Sequence, residues 1–135
     1  MSMKQNRKEW SDALRSGEYK QGTGALRKMS LDEDNEIYCP WGVACDLYSN
    51  ANPKSSFWED DNYGVFSFNV EFPNGIVDIS QEYPPRVVME FFEIDDMVMN
   101  YIIDLSDTSH YTFDKIADFI EEGLSEYETE SQRAS

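Results

Sequence analysis

Histidine occurs once in this chain of 135 residues and cysteine twice, so the side chains that most often hold zinc are nearly absent. Cys39 and Cys45 stand farther apart than the usual zinc-binding pair, and His110 is the lone imidazole. No apolar run approaches the roughly 20 residues that cross a bilayer. The opening MSMKQNRKEW is basic but has no apolar stretch of the signal-peptide kind. These absences predict a cytoplasmic protein with reduced thiols. Lysine and arginine are also scarce, 11 against 27 aspartates and glutamates, which argues against direct nucleic-acid binding by the body of the chain.

Motifs that name a reaction are missing as well. Gly17-Glu-Tyr-Lys-Gln-Gly22-Thr23 has the glycine spacing of a phosphate loop, yet no lysine follows Gly22 and the stretch follows a helical pattern instead of a strand. Asp32, Asp34 and Glu36 begin a calcium-like loop, but Ile37 stands where glycine is needed and Val43 where the closing glutamate is needed. Cys45 and His110 could form a nucleophile pair only if the fold joined them, and no third group identifies itself. The ordinary reading of the cysteine is a buried apolar thiol. No catalytic residue, metal site or cofactor is expected, and the chain reads as a non-enzyme.

What is present is charge, unevenly placed. Residues 1–30 carry seven Lys/Arg against three Asp/Glu, and the rest carries four against twenty-four, for a net charge of -16. Hydrophobic residues at 40% and aromatics at 14% still provide a core, because disordered polyanions are poor in both. The length fits one domain, read as residues 1–126 with a basic segment at 1–30, followed by a flexible polar tail at 127–135.

Local patterns predict an α+β fold with four or five helices around a small antiparallel sheet. A first helix is expected over 6–16, with Asn6 as cap, Trp10, Ala13 and Leu14 on one face, and Gly17 at its end. Glycines at 17, 22 and 24 suggest a turn into a short extended segment at 25–29, and residues 32–36 read as an exposed acidic loop. Pro40 opens a second helix carrying Val43, Ala44, Leu47 and Tyr48. Residues 55–62 read as a polar, acidic stretch. Alternation at Val65, Phe66, Phe68, Val70 and Phe72, the turn Pro73-Asn74-Gly75, and Ile76, Val77 and Ile79 predict a hairpin over 65–80. A helical hairpin should follow over 87–105. Thr112 then caps a helix with Phe113, Ile116, Ala117, Ile120 and Leu124 on one face, and Tyr111 is placed to staple onto Ile116.

Three groups of residues are candidates for binding. Asp114, Asp118, Glu122 and Glu126 recur every fourth residue, a ridge that resembles the charge pattern of a phosphate backbone or is simply a solvated face. Trp58 and Tyr63 flank Glu59, Asp60 and Asp61, an acidic patch with aromatic anchors. Arg15, Lys20, Gly22, Gly24 and Arg27 could form an anion pocket or pair internally with the acidic body. The first two groups point to a basic, nucleic-acid-binding protein as partner, bound by an acidic inhibitor or modulator and possible DNA mimic. The third points to a nucleotide binder, and a structural role in a virion is a third reading.

The words LRSGEYKQGTGALR, YCPWGVACDLY and SHYTFDKIADFIEE, in that order, give the chain a resemblance to a family of small uncharacterised bacteriophage and prophage proteins. They cover 10–27, 38–48 and 113–121, with a weaker echo at YPPRVVMEFFEIDD. DLSD before the last helix departs from the family's LND, and the middle of the chain is unusually acidic. The resemblance implies a phage origin and expression in the cytoplasm of a bacterial host. It brings no activity and no catalytic residue.

Overall fold

The computed structural model describes residues 3–31 and 35–124, so the expected tail, Glu126, Asp32 and Asp34 lie outside the described residues. The first helix, α1 (Met3–Arg15), begins before the expected cap. Asn6 lies inside it and is buried, and its Nδ2 donates to the Phe91 carbonyl at 2.9 Å instead of capping. Gly17 ends the segment with φ +80°, a conformation that side chains with a Cβ resist. Trp10 is the anchor: its ring lies 4.6 Å from Trp41 and 4.9 Å from Phe92, and its Nε1 donates to the Pro40 carbonyl at 3.0 Å.

Two three-stranded sheets follow. β1 (Lys20–Gln21), β2 (Arg27–Met29) and β3 (Glu36–Tyr38) form the first in the order β1-β3-β2, with β1 parallel and β2 antiparallel to β3. The glycine-rich turn thus includes a strand, and Glu36 leaves the expected acidic loop to open β3. α2 (Pro40–Ala51) starts at proline as expected and buries Trp41, Val43, Ala44 and Cys45. Next come β4 (Ser56–Asp60), β5 (Phe66–Glu71) and β6 (Val77–Ser80), an antiparallel sheet in chain order. The hairpin expected at 65–80 is β5 and β6. The polar stretch at 55–62 is instead mostly a strand, β4, whose acidic residues mask its alternation.

α3 (Arg86–Phe91) and α4 (Asp96–Asp107) are the two helices expected over 87–105, and each packs against α2. α5 (Phe113–Asp118) is capped by Thr112, whose hydroxyl accepts from the Lys115 N–H, and widens into a π-turn at Phe119–Gly123. Tyr111 stays exposed under the Lys115 ammonium, 5.3 Å from its ring centre, while Ile116 is fully buried. One core joins all parts, with Trp10, Trp41, Phe68, Phe92, Ile102 and Ile116 at its centre. The architecture is α+β, and no described helix is long and apolar enough to cross a membrane.

Candidate functional site

β4 sets out the acidic and aromatic patch by alternation. Trp58 faces Phe68 across the ladder, turns inward, and donates its Nε1 to Asp46 Oδ1 at 3.1 Å. It is a core contact, not an exposed anchor. Asp46 also accepts from the Tyr19 hydroxyl at 2.5 Å, and burial together with this bond pushes the Tyr19 phenol pKa far up. Phe57 points the other way, in line with Asn69 and Ile79, so the outer sheet face carries exposed Phe57, Val77 and Ile79.

The loop after β4 is built by its own carboxylates. Asp60 Oδ1 accepts from the Asn62 N–H at 2.8 Å, and Asp61 Oδ1 from Tyr63 and Val65 at 2.7 and 3.1 Å. These bonds hold Asn62 at φ 67° and leave Tyr63 90% exposed at the tip. Glu59, Asp60 and Asp61 form no ion pair with a described residue.

The ridge on the last helix is less bare than its sequence. Arg15 reaches across from α1 to Asp118 at 2.7 Å and Glu121 at 2.9 Å, and these partners raise the Arg15 pKa. Asp114 and Glu122 stay exposed, but the π-turn between Asp118 and Glu122 moves Glu122 off the line of the other two.

Nor does the glycine segment gather its cations. Arg15 is held by the last helix, whereas Arg27 bonds Glu36 at 2.7 Å and lies over the rings of Tyr38, Trp58 and Phe66 at 5.5, 5.3 and 4.1 Å. Lys20 is exposed on β1. Gly22 lies against Ile37, where an added Cβ would come within 2.7 Å of its side chain.

Sequence reasoning missed two adjoining cavities. One, of about 500 Å³, lies between the first sheet and the α4–α5 connection and is lined by Lys28, Met29, Ile37, Ser106 and His110, among others. The second, of about 230 Å³, takes in Gly24, Cys39, Glu82, Tyr83 and Asp107, and Ser106 borders both. Ser106 is 1% exposed and its Oγ has no hydrogen-bond partner. Cys39 and Cys45 are free and buried. Desolvation pushes the Cys39 thiol up to about 11 and the Cys45 thiol well above its usual range. Cys45 is closed off in the core while His110 is exposed, so the two do not form a nucleophile pair. No cluster of metal-binding side chains exists among the described residues.

A family model described as a domain of unknown function, DUF8296, matches residues 3–124. No curated protein and no solved structure matches the chain.

Proposed function

The chain belongs to the DUF8296 family, and we propose that it is a phage-encoded, non-enzymatic accessory protein that binds and modulates a basic, nucleic-acid-binding host protein. The observation that carries this reading is Tyr63, 90% exposed on a loop whose neighbours Glu59, Asp60 and Asp61 have no cation partner among the described residues. A net charge of -16 steers a basic surface towards the protein over long distances. A tyrosine on a loop already fixed by Asp60 and Asp61 then offers a contact with little ordering cost. The exposed apolar row of Phe57, Val77 and Ile79 extends that surface along the sheet. Mimicry of DNA by the last helix has weaker support, because Arg15 engages Asp118 and the π-turn displaces Glu122.

The test is affinity capture from bacterial lysate with the wild type and a variant combining Glu59→Gln, Asp60→Asn, Asp61→Asn and Tyr63→Ala. Asparagine keeps the oxygen that accepts the loop's backbone bonds, so the loop survives while the charge goes. A basic nucleic-acid-binding protein should be retained by the wild type at low salt, released by DNA or high salt, and lost by the variant. Equal retention by both proteins would overturn the proposal.

A further inference from the structure

In so acidic a chain, the larger cavity has no carboxylate among its described lining residues. The one lysine or arginine among those described residues, Lys28, forms no ion pair with a described residue. The strand's alternation explains the difference from its neighbour. Arg27 pairs in register with Tyr38 and turns towards the rings, whereas Lys28 pairs with Ile37, and both of these line the cavity. Leaving a half-buried lysine without a partner forgoes a pairing that the rest of the surface could readily supply.

The smaller cavity has the opposite character, with Glu82 and Asp107 as acceptors, the Tyr83 ring, and no cation among its described lining residues. Ser106 stands in the wall between the two, 1% exposed, with its hydroxyl unmatched. The rim is fixed across the fold. Gln21 donates to the Tyr111 carbonyl at 2.7 Å and accepts from the Phe113 N–H at 2.9 Å, tying β1 to the segment that carries His110.

We propose that Lys28, Ser106 and Tyr83 mark a binding cleft for a nucleoside monophosphate, with the phosphate at Lys28 and His110, the sugar beside Ser106, and the base against Tyr83 with its amino groups towards Glu82 and Asp107. The larger cavity, about 500 Å³, is in the range of small-molecule sites. The chain's net negative field opposes any anion, but at physiological salt it is screened beyond about 8 Å, and Lys28 then dominates locally. This cleft is separate from the protein-docking surface proposed above, so either can fail without the other.

Calorimetric titration of the full chain with AMP, GMP, CMP and UMP, and with inorganic phosphate and adenosine as single-end probes, tests the assignment. At least one nucleotide should bind saturably at one site, about tenfold or more tighter than phosphate or adenosine. Lys28→Gln should weaken the nucleotide about tenfold and leave adenosine unchanged, Tyr83→Ala should weaken both, and Ser106→Leu should block the cleft. Absence of saturable binding at millimolar nucleotide would overturn the proposal. So would a nucleotide affinity that Lys28→Gln and Tyr83→Ala, both at partly exposed positions, leave untouched.

Discussion

Arg27 and Lys28 are neighbours with opposite fates, and the strand's two-residue period is the cause. Arg27, with its side chain 16% exposed, closes over Tyr38, Trp58 and Phe66 and bonds Glu36, so it joins the first sheet to the second. A guanidinium over aromatic faces is worth about 0.5–2 kcal/mol, more as it is desolvated. Arg27→Met should therefore lower unfolding stability by about 2 kcal/mol in urea titration, and Glu36→Gln by clearly less, because that carboxylate is exposed. Equal losses would place the stability in the ion pair instead of the rings. Cys39 gives a second test at this scale. Its thiol is raised in the folded state to about 11 from an ordinary 9.0, so folding favours the protonated form. The stability it contributes is complete below pH 9 and is lost as pH rises towards 11, by about 1.4 kcal/mol per pH unit. Cys39→Ala should make that alkaline decline shallower in denaturation midpoints measured across the window, the remainder coming from the Cys45 thiol, which burial also raises, and an unchanged slope would assign the decline to other groups. Tyr38, raised by burial from 10.0 to about 12, adds its own decline only above pH 10, so the part of the window between pH 9 and 10 is the cleaner test.

α2 passes very close to the backbone of Leu26, the residue before β2. A Cβ at Gly42 would lie 1.7 Å from the Leu26 carbonyl oxygen, a backbone atom that also accepts from the Cys39 N–H at 3.3 Å. Gly42→Ala must push α2 away from the Leu26 backbone and should destabilise the fold by about 3 kcal/mol or more. Gly75→Ala meets no atom within 4 Å and pays only for its φ of +87°, about 1 kcal/mol. Comparable melting shifts for the two would contradict the close approach. The helices and the 65–80 hairpin were legible in the sequence because caps, prolines and apolar spacing are local signals. β1 and β4 were not, since Lys20–Gln21 is a strand only by virtue of β3, and the acids of Ser56–Asp60 hide a strand whose inward residues pair with β5. Arg15 and Arg27 carried the right charge for an anion pocket, but their carboxylate partners lie on distant or extended segments whose positions only the fold determines. The cleft was illegible for the same reason: Lys28, Tyr83 and Ser106 come from three separate stretches, and no spacing rule relates them.

At the scale of the whole molecule, 27 acidic side chains share one surface with 11 basic ones. Arg15 is the only described cation that bridges α1 to the last helix by ion pairs, while Lys8–Asp12 joins residues of one helix and Arg86–Asp96 is exposed on both sides. Exposed pairs of this kind contribute up to about 1 kcal/mol each and weaken in salt. The unpaired carboxylates repel one another more in the compact state than in the expanded chain, and salt weakens that repulsion too. The two effects oppose, and the excess of acids decides the sign. Raising sodium chloride from about 0.01 M to about 0.15 M shortens the screening length from about 30 Å to about 8 Å, which removes the many long-range repulsions before the few contacts under 4 Å. The net gain should be about 1 kcal/mol, seen as a rise of about 4 °C in melting temperature. The same addition should weaken capture of a basic partner, so stability and binding should move in opposite directions with salt. A melting temperature that fell alongside binding would mean that ion pairs outweigh repulsion in this fold, and that the negative surface is internally compensated instead of being held open for a partner.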